Sequence, residues 1–294
     1  MSTTTQSAIE RPEFVRYKTE DGAVLQALLW IPRKKVKTAV IYVASATGGF
    51  CGAHDLVPIA AAVTAAGYAF MTPNVRTIGD PNGWTYARFE DCVLDVDAGV
   101  KYAKTRGFED FILVGHSIGG TRAMYYWVQK REPSVRALVF MGSIVSSYGE
   151  AQFRWSDQKK AEYESFLVKV REMIRQGRGE EVVTFKDFFA PPVPPMMTAC
   201  ARSVISFFGA PHECNSGTAK YGAEVTIPAL VVHSKDDTIA TPKNAEAIYN
   251  SLTAAPVREL IWVGGGHMLS DPEVSKTYGK AIAGWISRVV PPTR

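Results

Sequence analysis

A serine set between glycines becomes a nucleophile only where the backbone makes a tight turn, and Gly115-His116-Ser117-Ile118-Gly119-Gly120 has the composition for one. The bare G-x-S-x-G pattern arises by chance in roughly one chain in ten of this length, so its placement carries the signal. The run follows the apolar stretch Phe111 to Val114 directly and precedes a helical stretch from about Thr121, as a strand-turn-helix elbow requires. A serine hydroxyl at its ordinary pKa needs a base, and the base needs a third group to orient it. Both stand downstream in the order Ser, Asp, His: Asp237 in His233-Ser234-Lys235-Asp236-Asp237-Thr238, and His267 after Gly264-Gly265-Gly266. Asp236 competes with Asp237 for the acid position. The helix that follows Ser117 adds oriented N–H groups and a dipole that favours developing negative charge.

Other constellations are weaker. Cys200, His212 and Cys214 approach metal-ligand spacing but offer three ligands without a fourth, so buried thiols and a loop histidine are expected. The four cysteines form no C-x-x-C and no disulfide framework. Thr47-Gly48-Gly49-Phe50-Cys51-Gly52, together with Tyr126 and Lys130, resembles fragments of the short-chain dehydrogenase pattern. Against that reading, His54 replaces the last glycine and no acid follows Asn74 to hold a ribose hydroxyl. A ligand-binding protein without turnover is a third reading, opposed by the apparently complete Ser, Asp and His set.

The elements that must hold these residues are short apolar runs without alternation, as in strands buried on both faces. They are Val40 to Val43, Ala69 to Thr72, Phe111 to Val114, Ala137 to Phe140, Ala229 to Val232 and Leu260 to Val263. Helical periodicity links them: Phe89, Val93, Val96, Val100 and Ala103 share one face, with Glu90, Asp91, Asp95 and Asp97 on the remainder. Phe14 to Ile31, broken at Glu20-Asp21-Gly22, predicts an antiparallel edge hairpin. The expected fold class is α/β, a mostly parallel central sheet with helices on both faces. The core comprises residues 1–143 and 227–294, and residues 144–226 form an inserted helical cap. Within the cap, Phe166, Leu167, Val170, Met173 and Ile174 mark an amphipathic helix, followed by the joint Pro191 to Pro195 and an apolar stretch from Met196 to Phe208.

In its elbow, its acid after one late strand and its histidine after the next, the chain resembles the α/β-hydrolase fold family over essentially its whole length. The resemblance implies Ser117 as nucleophile, His267 as general base and then acid, and Asp237, favoured over Asp236, as the orienting carboxylate. It implies Ile118 N–H as one oxyanion donor. The second should follow Val43, where many members have His-Gly and this chain reads Ser45-Ala46-Thr47-Gly48-Gly49; Thr47 is the choice and Ala46 the reserve. The expected activity is that of a serine hydrolase cleaving a carboxylic ester through an acyl-enzyme intermediate, with no metal or other cofactor. Lactone, thioester, amide and carbon-carbon bond hydrolysis are alternatives on the same residues.

Trp155, Phe188, Phe189, Met196, Met197 and Phe207 in the cap suggest an apolar or aromatic small-molecule substrate, with Phe207 and His116 as pocket candidates. Arg76 and Arg88 are placed near the mouth, where they would favour an acidic substrate. Composition excludes other classes: 46% hydrophobic and 21% charged residues are those of a globular chain. The net charge of +4 comes from scattered rather than clustered basic residues, which argues against nucleic acid as a partner. No apolar run is long enough to span a bilayer and no signal-like segment opens the chain, so a cytoplasmic location is expected. The sequence indicates no particular oligomeric state.

Overall fold

The computed structural model describes residues 12–46, 53–79, 83–186 and 196–293. Phe188, Phe189 and the joint Pro191 to Pro195 lie outside them.

The strands are β1 (Glu13–Lys18), β2 (Val24–Trp30), β3 (Thr38–Val43), β4 (Ala69–Pro73), β5 (Asp110–His116), β6 (Val135–Met141), β7 (Val182–Lys186), β8 (Met196–Cys200), β9 (Ala229–Ser234) and β10 (Arg258–Val263). The helices are α1 (Ala53–Ala65), α2 (Arg76–Gly79), α3 (Gly83–Tyr86), α4 (Cys92–Thr105), α5 (Ile118–Lys130), α6 (Ser147–Arg154), α7 (Asp157–Arg175), α8 (Ala201–Phe208), α9 (Thr218–Tyr221), α10 (Pro242–Ser251) and α11 (Pro272–Val289). The main sheet runs β1-β2-β4-β3-β5-β6-β9-β10. β1 and β2 form the expected antiparallel hairpin, β2 pairs antiparallel with β4, and the remaining pairs are parallel.

Non-alternating apolar runs work here because successive residues enter different cores. In β3, Ala39, Ile41 and Val43 join the cluster under α4, α5 and α10, while Val40, Tyr42 and Ala44 join the one under α1 and α11. β5, β6 and β9 alternate in the same way. Leu260 to Val263 departs from expectation: among the described residues β10 pairs only with β9 at the edge of the sheet, and its residues are half-buried rather than covered on both faces.

The helix before the elbow also differs in detail. Phe89 lies in a 3-10 turn before α4 and packs with a third, aromatic-rich cluster. Asp95 and Asp97, which lie off the apolar face, are buried as well. Asp95 accepts from the backbone N–H of Arg76 at 2.8 Å and from its Nε at 2.9 Å, which offsets the cost of burying the carboxylate.

Between β6 and β9 the chain leaves the sheet. Ser156 caps α7 by accepting from Lys159 N–H, and Leu167 and Val170 are buried with Phe166, Met173 and Ile174 packed beside them, as the periodicity predicts. The stretch from Met196 to Phe208 is two elements: β8, paired antiparallel with β7 from Val182↔Cys200 to Lys186↔Met196, and then α8. This segment is fastened to the core by polar contacts. Glu90 accepts from Ser206 Oγ and Asn215 Nδ2, and Ser206 Oγ accepts from Phe89 N–H. Among the described residues no helix is long and apolar enough to cross a membrane.

Helices α1 and α11 touch at Gly279, where an added Cβ would sit 2.9 Å from the Ile59 Cα. Gly279→Ala is expected to part the two helices and destabilise the protein by about 1–3 kcal/mol, measured by urea unfolding.

Candidate active site

Parallel sheets place their sites at the C-terminal strand ends where the strand order reverses. Here that point lies between β3 and β5, whose last pairs are Tyr42↔Val114 and Val43↔Gly115. β5 runs into Ser117, which has φ 55° and ψ −124°, and α5 begins at the next residue. A positive φ at a residue with a Cβ is strained and costs roughly 1–3 kcal/mol, retained where the surroundings impose it. The surroundings impose it through close backbone contact. A Cβ on Gly119 would stand 2.1 Å from the Val43 carbonyl oxygen, and one on Gly115 2.3 Å from that of Gly119. The first turn of α5 therefore rests directly against the end of β3.

Asp237 and His267 come together as the spacing predicts. His267 Nδ1 lies 2.8 Å from Asp237 Oδ2, with the carboxylate fully buried. The other oxygen, Oδ1, accepts from Ile239 N–H and Ala240 N–H, both at 2.8 Å, so the carboxylate is fixed by its own turn. Asp236 takes a different part: its Oδ2 accepts from Gly265 N–H at 3.3 Å and braces the loop that carries His267. The same loop is held by Ser234 Oγ, which donates to the Gly265 carbonyl.

His116 lies under the site. Its Nε2 is 3.1 Å from the His267 carbonyl oxygen, and the two rings sit 4.9 Å apart. Burial, with the neighbouring His267 adding to it, lowers the His116 pKa from 6.5 to about 3. It thus stays neutral, and its Nε2–H donates to that carbonyl. These contacts place the His267 ring against His116, the residue before Ser117; no hydrogen bond joins it to the Ser117 hydroxyl among the described residues. Such catalytic contacts commonly tighten only with substrate present.

Ile118 N–H lies at the head of α5, as expected of an oxyanion donor. Thr47 lies outside the described residues. Ala46, its reserve, is packed against the same aromatic cluster as Ile118. Phe207 belongs to that cluster and is fully buried, its ring 5.1 Å from Trp84 and 5.8 Å from Phe89.

The two arginines placed at the mouth have carboxylate partners instead. Arg76 binds Asp95 and pairs with Asp21 at 2.6 Å, and this drives the Asp21 pKa down to about 2. Arg88 binds Glu180 through Nη2 and Ser203 Oγ through Nη1, tying the turn before α4 to the segment between β6 and β9. Their charges are spent within the protein, which removes the basis for expecting an acidic substrate. Tyr126, buried, donates to Asp97 at 3.3 Å, and Lys130, exposed, lies 3.9 Å from the same carboxylate, so both are engaged with α4.

Two buried residues were not singled out for the site by sequence reasoning. His233 places Nε2 2.7 Å from the Ala240 carbonyl oxygen, closing the turn that carries Asp237. Arg122 donates to the carbonyls of Ala44 and Ser45. The available signal for Arg122 was its spacing of one helical turn from Ile118.

An eight-stranded, mostly parallel sheet with helices on both faces and a strained serine elbow at the switch point has the α/β-hydrolase fold. The chain belongs to the family described as protein of unknown function (DUF1749), whose model matches residues 15–209. That span includes Ser117 and ends before Asp237 and His267. No curated protein matches the sequence. Solved structures share the fold at low identity. The Pyrococcus furiosus esterase Pf2001 is 15% identical with a TM-score of 0.64, over 98% of this chain and 94% of that one. Est1E from Butyrivibrio proteoclasticus, with ferulic acid bound, is 17% identical with a TM-score of 0.65, over 94% and 99%. The esterase domain from a Rhodothermus marinus protein is 15% identical with a TM-score of 0.61, over 95% and 99%.

Because His116 remains neutral in the folded protein while an unfolded histidine takes up a proton below about 6.5, stability falls as pH drops from 6.5 toward 3. Burial lowers the His233 pKa as well, so it contributes in the same direction. His116→Gln is expected to make this decline shallower without abolishing it, as read by urea unfolding at a series of pH values.

Proposed function

We propose that the protein is a serine hydrolase that cleaves carboxylic esters through an acyl-enzyme. The observation that carries this reading is the strained Ser117 elbow together with an imidazole that packs on the adjoining His116 and whose Nδ1 is held by a buried carboxylate. Ser117 Oγ attacks the ester carbonyl carbon while His267 Nε2 takes its proton. Asp237 keeps the Nδ1–H tautomer and stabilises the imidazolium that forms. Charge on the carbonyl oxygen is met by Ile118 N–H and a second donor from the loop after β3. Collapse expels the alcohol, protonated by His267, and water activated by the same imidazole hydrolyses the acyl-enzyme. Nucleophile, base and oxyanion donors are all supplied by the chain, so this mechanism calls for no metal or other cofactor.

The esterases among the structural relatives support the reaction class. Residues 144–226 serve as a cap over this edge of the sheet. Ile118, next to the nucleophile, packs in an aromatic cluster with Phe89, Phe207 and Phe208, all buried, and the half-buried Trp84; surroundings of this kind suit a small substrate with an apolar or aromatic group. The ferulic acid held by Est1E is a ligand of that kind.

Intact mass after exposure to a fluorophosphonate should show a single adduct that Ser117→Ala abolishes. That variant should fold normally and lose at least about 10⁴-fold in turnover of a p-nitrophenyl ester; a folded, active Ser117→Ala protein would end the hypothesis. Asp237→Asn should lose about 10⁴-fold in kcat and Asp236→Asn less than about tenfold, a contrast that separates the orienting acid from the loop brace.

A further inference from the structure

Arg122 is fully buried on α5, one helical turn beyond Ile118 and on the same face. Among the described residues no carboxylate forms an ion pair with it. Its guanidinium is satisfied by neutral acceptors instead: Nη1 donates to the Ala44 carbonyl at 2.8 Å and the Ser45 carbonyl at 3.1 Å, and Nη2 donates to Thr77 Oγ1 at 3.2 Å. A buried cation without a counter-charge is costly, and this one is placed on the two peptide units that follow β3.

Those peptide units matter because a trans peptide points its N–H opposite to its C=O. With the Ser45 carbonyl turned toward Arg122, the Ala46 N–H of the same unit is turned away from it. The Ala44 carbonyl fixes the Ser45 N–H likewise, and that group is engaged by the Tyr42 hydroxyl. The Ala46 N–H has no hydrogen-bond partner among the described residues, and Ala46 packs in the same cluster as Ile118. Val43 and Ala44 also abut Gly119, so this loop and the head of α5 are in direct contact.

Resting on the serine-hydrolase reading above, we propose that Arg122 is a positioning residue for the oxyanion hole: by gripping the Ala44 and Ser45 carbonyls it aims the Ala46 N–H to act with Ile118 N–H on the substrate carbonyl oxygen. Arginine suits the task because Nη1 serves both carbonyls while the rigidly linked Nη2 is pinned to Thr77 Oγ1, a two-point hold on a planar group that a lysine ammonium does not have. The donor is set before substrate arrives, so no reorganisation is needed as charge develops.

The test couples the side chain to the amide. Replacing the Ala46 amide by an ester, through incorporation of lactic acid at that position, removes the N–H and leaves the side chain unchanged. It should lower kcat for a p-nitrophenyl ester by about 10²-fold or more with KM within about threefold. Arg122→Lys should lower kcat at least about tenfold in the same pattern, with near-UV circular dichroism preserved. In the ester-containing protein, Arg122→Lys should then cost little more, since the group it positions is already gone.

Unchanged kcat in folded Arg122→Lys, fully additive losses, or an ester at 46 without effect would each overturn the proposal. Should the lysine variant not fold, Arg122→Gln, which keeps a planar donor without the buried charge, takes its place in the same cycle. Ser117→Ala in the same assay keeps the two ideas apart. If it retains activity the nucleophile assignment fails, whereas an inactive Ser117→Ala beside a fully active Arg122→Lys refutes only the role of Arg122.

Discussion

The site depends on one close approach, that of the first turn of α5 to the end of β3. With hydrogen at Gly119 the backbone of the turn lies against the Val43 carbonyl; any side chain there would push the two apart by more than an ångström. This contact sets the height of Ser117 above the sheet, directs the helix N-terminus toward the reacting centre, and brings the loop after β3 within reach of Arg122. The unfavourable φ at Ser117 persists because the strand before it and the helix after it are both anchored in the buried core, where Phe111 and Leu113 of β5 pack in one cluster with Ala123, Met124, Tyr126 and Trp127 of α5.

Acid and histidine are held by a different device. Asp237 is fixed by backbone amides two and three residues ahead, and its turn is closed by His233 from the preceding strand. His267 is held from below by His116 and from the side through Gly265. Asp237 and His267 are thus each oriented by neighbouring groups, several of which are buried and neutral. A low dielectric around them strengthens the few polar contacts that remain.

The central strands were legible because a strand covered on both faces needs an unbroken apolar run, and such runs are conspicuous. The elbow and the order of serine, acid and histidine were legible for the same reason: each stands immediately past one of those runs. What composition hides is which partner a charged side chain finds across the fold. Arg76 and Arg88 looked available until Asp21, Asp95 and Glu180 were brought beside them from distant parts of the sequence. β7 and β8 were obscured because a short hairpin outside the main sheet has little apolar pattern of its own, and Met196 to Phe208 reads as one stretch although it turns from strand to helix at Cys200. The half-burial of β10 follows from its place at the edge, and strand order is not written in any single run.

The placement of His267 beyond the last strand of the sheet bears on how the protein comes into being. As synthesis proceeds from the N-terminus, Ser117 and its elbow emerge well before β9 and β10, and the base arrives only when β10 has paired with β9 and α11 has packed onto α1. A partly made chain therefore holds the Ser117 elbow before Asp237 and His267 have been brought together. If Ser117 is the nucleophile proposed above, its reactivity is acquired only with completion of the sheet, and its labelling by a fluorophosphonate would report whether a newly made molecule has finished folding.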